Sequence, residues 1–500
     1  MAAAVNEKPS LKFAIAIPLA VLWVLTFWAS AKLVYPINSL SAAIVESWRD
    51  TGFISAWNNS YYPPLWPALG ILFVKLGLND VLWIQMVTAG IMIALTFLAF
   101  YRSGALAFFV GFAAFLFSPA FLYGALNFWR ETVEIFALLI ITAVFSGVEK
   151  KRGNPYLLGV IFGVPFGLGL LAKWTFWVYP VAFGIAILLA LTASQRWKFL
   201  IISAITAAII ALPWYLLKLD VKTLVETTKN DPSLCCPTFL SRFVWYCKEL
   251  FNVCGYGLFA FLIVVIANAL RRPKGLLFIF GILLSVAVLS MPVHIEIRYL
   301  VPLAVLVAAG FLDAASSVNF SKASGLALIA IFATSLFLEE GRLVKNVDEV
   351  ASEDFVDVKK FLISALPAMK ERVGEGEQIA FNPLFPVYFG KAVEFASGAE
   401  KLKIYSPEFF DMFRDGFMKG EYKIVINLVP VDVDTSNPEQ VVRLSYAKGG
   451  RFVMGTTGNV VYAPSLEGIK ETLDRLKREY RLIFEDTSYG ERIEIWERKK

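Results

Sequence analysis

The chain has 500 residues, 57% of them hydrophobic and 15% aromatic, and a formal net charge of +6 at pH 7. Apolar content at that level excludes a soluble enzyme and points to a multi-pass α-helical membrane protein. The positive charge is no nucleic-acid signal: residues 1–344 hold 24 Lys or Arg against 15 Asp or Glu, residues 345–500 hold 23 against 26, and inner basic loops account for much of the excess.

Runs of roughly 17–25 apolar residues cross a bilayer as helices. In chain order they fall near residues 13–31, 81–100, 105–122, 131–148, 156–172, 174–193, 199–217, 253–270, 276–291, 297–314 and 323–338, eleven expected spans. Lys8 and Lys12, the first apolar stretch and Ala29-Ser30-Ala31 have the outline of a cleavable signal. Because that stretch continues into a multi-pass domain, it is read as an uncleaved span. Residues 32–80 form a long loop, with an expected surface helix at Ser39–Asp50 and an aromatic turn from Trp57 to Trp66. An apolar helix over Pro64–Gly77 follows, too short to span comfortably. Trp and Tyr favour the headgroup level, so this loop is expected to lie against the membrane.

The basic clusters Lys150-Lys151-Arg152, Arg196 with Lys198, and Arg271-Arg272 with Lys274 are each separated by two spans and share one face. The positive-inside rule makes that face cytoplasmic, together with the N-terminus, and an odd number of spans puts the C-terminus outside. Cys235, Cys236, Cys247 and Cys254 then fall in or beside the outer loop 218–252. Four extracytoplasmic cysteines favour disulfides, with free thiols and metal binding as alternatives. Against a metal, there is no CxxC pair and His294 is the sole histidine.

From about Lys345 the character changes. Helices are expected at Asp354–Lys370 and Ser465–Tyr480, and strands at Gln378–Asn382, Lys423–Leu428, Asn459–Ala463, Arg481–Asp486 and Arg492–Glu497. Such a mixture makes residues 345–500 a small extracytoplasmic α/β domain, behind a membrane domain of residues 1–344. No phosphate-binding glycine loop, HExxH or GxSxG occurs in it.

Charged residues kept at membrane boundaries are the functional candidates, because burying charge there is expensive. Four places on the outer face qualify. Arg130, Glu131 and Glu134 open a span, with the two carboxylates one helical turn apart. Lys173 interrupts the apolar stretch 156–193. His294, Glu296 and Arg298, followed by Tyr299, alternate onto one side if extended. In the first loop, Glu46 and Asp50 share a helical face. The bland alternatives are an interfacial ion cluster, a snorkelling lysine, a topological anchor and a solvated face. Asn58-Asn59-Ser60 is a weak glycosylation sequon.

In this order the pieces resemble the class C membrane glycosyltransferases that use polyprenyl-phosphate sugars, such as protein O-mannosyltransferases and lipid A aminoarabinose transferases. Tyr61-Tyr62-Pro63-Pro64-Leu65-Trp66 is similar to that family's hPPLY turn, and Arg130-Glu131 to its second acidic position. Gly169-Leu170-Leu171-Ala172-Lys173 resembles its GLALLTK stretch, and Arg298-Tyr299-Leu300-Val301-Pro302 its RYLLP. The likeness covers roughly residues 10–340. It departs in the first loop: Asn38-Ser39 stands where the family has an Asp-Glu pair, and Asn cannot act as a base.

The resemblance implies transfer of a sugar from a polyprenyl-phosphate carrier to an acceptor protein, lipid or glycan on the outer face. It implies Glu131, or Glu46, as the catalytic carboxylate. Arg130, Lys173, Arg298, Tyr299 and His294 would hold the lipid phosphate. One base and direct attack imply inversion at the anomeric carbon. No cofactor is certain; a divalent cation, possible in some relatives, stays open without a ligand cluster to argue for it. The rivals are a multi-pass transporter, which needs mid-span charges or broken helices, and a catalytically silent relative that binds lipid or protein.

Overall fold

The computed structural model describes residues 9–34, 63–79, 81–128, 130–148, 154–218, 238–270, 273–291, 297–316, 378–382, 402–404, 410–430, 466–487 and 491–499, with isolated positions between them. The helices are α1 (Pro9–Val34), α2 (Leu65–Lys75), α3 (Val81–Phe100), α4 (Ala105–Leu116), α5 (Pro119–Asn127), α6 (Arg130–Val148), α7 (Pro155–Ala172), α8 (Val181–Ala190), α9 (Ala193–Lys218), α10 (Phe239–Ala269), α11 (Pro273–Leu289) and α12 (Leu303–Ser316). Short 3₁₀ turns precede α8 at Trp174–Val178 and α12 at Ile297–Leu300. Among the described residues, five helical segments are long and apolar enough to cross a bilayer, and α4 with α5 makes a sixth if that bent pair is one span. This is an integral membrane protein.

Local chemistry sets the breaks. Ser118, with Pro119 behind it, caps α5 by accepting from the Phe121 amide, so the apolar stretch 105–122 bends by 59° instead of running straight. The expected span 174–193 is likewise split, into a 3₁₀ turn and the ten-residue α8. Helix α10 starts well before residue 253: Thr238 and Ser241 cap it reciprocally, and Gly255, at φ +68°, interrupts it. Helix α2 has 11 residues, about 16 Å of rise, too little to cross. The expected span 323–338 and the Ser39–Asp50 helix lie largely outside the described residues.

Helices α7 and α9 approach through a ladder of small residues. Gly159, Gly163 and Gly167, one turn apart on α7, face α9 so closely that a Cβ at Gly163 would sit 2.7 Å from the Ser203 carbonyl oxygen and from Thr206 Cβ. Such small-xxx-small stripes let membrane helices exploit packing where hydrophobic drive is absent. Gly163→Ala is therefore expected to destabilise the protein by about 1–3 kcal/mol. Gly90→Ala, on the open face of α3 with nothing within 4 Å, is expected to be neutral or slightly stabilising. Thermal unfolding in detergent compares the two.

Cations close the exposed carbonyls of helix ends. Lys12 Nζ donates to Tyr101 and Ser103 carbonyls beyond α3, both at 2.6 Å. Arg196 Nε donates to Leu188 and Leu191 at the end of α8, and Arg242 to Ser290 beyond α11. Together with Lys198 over the Tyr156 ring at 5.3 Å, these contacts fix which helix ends are neighbours. The starts of α7 and α9 share one end of the bundle. The starts of α6 and α10 and the ends of α7 and α11 share the other.

The tail holds a five-stranded mixed sheet, in order β2-β1-β3-β7-β6, from β1 (Gln378–Phe381), β2 (Leu402–Ile404), β3 (Tyr422–Pro430), β6 (Tyr480–Asp486) and β7 (Glu491–Arg498). A short pair, β4 (Arg451–Phe452) and β5 (Thr456–Thr457), stands apart. Strand β1 runs parallel to β2 and β3; β7 is antiparallel to β3 and β6. Helices α13 (Phe410–Lys419) and α14 (Leu466–Glu479) supply Phe413, Phe417, Ile469, Leu473 and Leu476 to its core. Tyr480 donates to the Tyr422 carbonyl at 2.7 Å, and burial pushes its phenol up to about 12, so it stays a donor. Helix α13 and β2 were not anticipated from the sequence. The expected helix at 354–370 and strand at 459–463 lie outside the described residues.

The disulfide expectation is corrected. Cys247 and Cys254 are free thiols on α10. Seven residues of helix separate them by about 10 Å of rise, beyond disulfide reach. Cys235 and Cys236 lie outside the described residues.

Candidate active site

The site is built around the start of α6. Helix α5 ends on Phe128, the one non-glycine residue with positive φ (37°) among the described residues. A left-handed Phe costs roughly 1–2 kcal/mol, so its surroundings must hold it there. Its ring is fully buried, 5.0 Å from Phe73 and 6.0 Å from Trp48, and its carbonyl accepts from Trp66 Nε1 at 2.6 Å. Pro63 and Pro64 lead directly into that Trp66. Trp66 thus buttresses the corner that turns Arg130 and Glu131 into the bundle. Trp66→Phe, which keeps an aromatic ring but loses the donor, is expected to lower stability by about 1–2 kcal/mol in thermal unfolding.

Glu131 is 1% exposed, and its Oε1 accepts from Lys173 Nζ at 2.8 Å. Arg298 Nε lies 3.9 Å from the same oxygen. Lys173 is extended between α7 and the 3₁₀ turn at Trp174–Val178, its amide donating to Gly169. Gly169 must be glycine there, because any Cβ would run into the Phe176 ring. The Lys173 ammonium also sits 3.5 Å from the centre of the Tyr299 ring, a close cation–π contact. The Tyr299 carbonyl accepts from Tyr179 at 2.8 Å, which ties the Arg298–Tyr299 turn to the segment after Lys173. Tyr215 on α9 donates to Leu170 at 2.7 Å and steadies the end of α7. Arg130, itself buried, is within electrostatic reach of both Glu131 and Glu134.

Four residues singled out from the sequence, Glu131, Lys173, Arg298 and Tyr299, therefore meet, with Arg130 beside them. Glu46, His294 and Asn38 lie outside the described residues. Sequence reasoning placed Glu134 on the face of Glu131 but gave it no part; it named Trp66 only within the aromatic turn and passed over Tyr179 and Tyr215. Glu134 is fully enclosed, and among the described residues neither of its oxygens has a hydrogen-bond partner. Among those residues, too, no group of three His, Cys, Asp or Glu side chains gathers that could hold a metal ion. Cations converging on one carboxylate at one end of a helical bundle can bind an anion and leave the carboxylate to take a proton.

No family model matches the chain, and no curated protein matches it. Among solved structures it is similar to ArnT from Cupriavidus metallidurans, both in the apo state and bound to undecaprenyl phosphate. Each comparison covers 95% of this chain and 98% of that one, with a TM-score of 0.53 and 11% sequence identity. The two proteins share a fold along nearly their whole lengths.

Proposed function

We propose that the protein is a membrane glycosyltransferase that moves a sugar from a polyprenyl-phosphate carrier to an acceptor on the outer face of the membrane. The observation that carries this reading is the buried meeting of Glu131 with Lys173 and Arg298. It occurs in a chain folded like ArnT, a lipid A aminoarabinose transferase whose structure was solved with undecaprenyl phosphate. Lys173 and Arg298, with Arg130, hold the lipid phosphate and stabilise the charge it gains on leaving. Glu131 accepts the proton of the acceptor hydroxyl as its oxygen bonds to the anomeric carbon. The bond from that carbon to the phosphate oxygen breaks, and its electron pair stays on the phosphate. Direct attack inverts the sugar's configuration.

In this reading the chain has eleven spans, with its N-terminus in the cytoplasm and residues 345–500 outside, so that the site opens outward. The acceptor is a protein, lipid or glycan, and no nucleotide is needed at the site. Incubating the purified protein with radiolabelled polyprenyl-phosphate sugars and a panel of acceptors tests the activity; transfer with inverted configuration is the expected result. Binding of the lipid without transfer to any acceptor favours the silent lipid-binding relative, which Asn38 in the first loop keeps as the second reading.

A further inference from the structure

Glu134 takes no part in the transfer as proposed, yet it is the most enclosed carboxyl of the site. It lies one turn beyond Glu131 on α6, is 0% exposed, and has no hydrogen-bond partner on either oxygen among the described residues. Enclosing a carboxyl without donors is unfavourable, and native structures leave few such groups unexplained. The groups within its electrostatic reach are Arg130 and Glu131 on its own helix, Lys173 from the end of α7, Tyr179 after the 3₁₀ turn, and Tyr215 on α9. Three of these have hydrogen bonds elsewhere. Lys173 donates to Glu131, Tyr179 to the Tyr299 carbonyl and Tyr215 to the Leu170 carbonyl. Thr175 Oγ1, in that 3₁₀ turn, and Trp214 Nε1, on α9, are also buried without partners among the described residues.

A carboxyl enclosed beside the phosphate-binding cations, while neighbouring donors serve other acceptors, is suited to a molecule that brings donors of its own. We infer that Glu134 accepts hydrogen bonds from hydroxyls of the sugar carried on the lipid phosphate, and so determines which sugar is transferred. The inference rests on the proposed function. The sugar is bonded directly to the phosphate, so the residue that reads it must stand next to the phosphate cradle. Glu134 does so, sharing the field of Lys173 with Glu131. Two acceptor oxygens suit a pair of neighbouring hydroxyls.

The test measures binding of two probes to the full-length protein in nanodiscs: sugar-free undecaprenyl phosphate, and undecaprenyl phosphate bearing hexoses or pentoses. Glu134→Gln is expected to bind the sugar-free lipid as the unmutated protein does. For the cognate sugar lipid it is expected to lose about 10–100-fold in affinity, the scale of a hydrogen bond to a charged group. A deoxy analogue lacking the recognised hydroxyl should bind the unmutated protein more weakly but lose little further affinity in the variant. Glu134→Asp, which keeps the carboxyl but shortens the reach, covers the case in which the Gln variant does not fold. Equal weakening of both lipids, or of neither, overturns the inference and leaves the proposed function standing. If the unmutated protein binds neither probe, the proposed function itself fails.

Discussion

Replacing Glu131 by Gln is expected to lower kcat for sugar transfer by about 10²–10⁴-fold while tightening the binding of sugar-free polyprenyl phosphate by roughly tenfold. The two effects share one cause. Glu131 Oε1 is 2.8 Å from Lys173 Nζ and 3.9 Å from Arg298 Nε. In the proposed function the same two cations hold the lipid phosphate, so the carboxylate and the phosphate compete for them. Gln fills the same volume without the charge. It cannot take a proton from the acceptor, and it neither repels the phosphate nor holds the cations away from it. A purely structural Glu131 predicts a different pattern, in which turnover and lipid affinity fall together. Steady-state transfer and equilibrium lipid binding on the same preparation separate the two. Turnover within a few-fold of the unmutated protein removes Glu131 as the base.

The residues that meet at this site were legible because the membrane makes charge conspicuous. Glu131, Lys173 and Arg298 each interrupt or border an apolar run, and sidedness alone put them at one end of the bundle. What the sequence could not show is what holds them. Nothing marks a phenylalanine as left-handed, so the Phe128 corner and its Trp66 hydrogen bond were invisible. Tyr179 and Tyr215 are lost among apolar neighbours, although their hydroxyls tie together the chain on either side of Lys173. Helix breaks had partial signals. The Ser118-Pro119 pair announces a cap, whereas Gly255 in α10 looks like any glycine in an apolar run until its φ is seen. Gly163 and Gly167 pack α7 against α9 in continuous helix, where the transporter alternative needs broken ones. In the tail, strands with strong β-branched runs, such as β3, were found within two residues. Helix α13 was missed although Phe410, Phe413 and Phe417 recur at helical spacing, because Gly416, a poor helix former, sits inside so short a segment.

Lys173→Met is expected to have the largest effect on folding of any single change at this site. Removing one partner of a buried ion pair typically costs about 3–5 kcal/mol, because the other charge is left enclosed and uncompensated. Here that charge is Glu131, with Glu134 one turn away and Arg298 Nε 3.9 Å from its Oε1. Met keeps most of the apolar stem, so packing against Tyr299 changes little and the loss is chiefly electrostatic. The variant should also lose about 10–100-fold in affinity for polyprenyl phosphate, as befits a charge-assisted hydrogen bond. The double variant Lys173→Met/Glu131→Gln distinguishes the two losses. With both charges removed, nothing is left uncompensated, so most of the stability should return. Lipid affinity should stay low, because the ammonium that holds the phosphate is still missing. Recovery of both properties in the double variant would mean that Lys173 neutralises Glu131 and does nothing for the lipid. Recovery of neither would mean that the ammonium contributes through its contact with the Tyr299 ring instead of through the carboxylate.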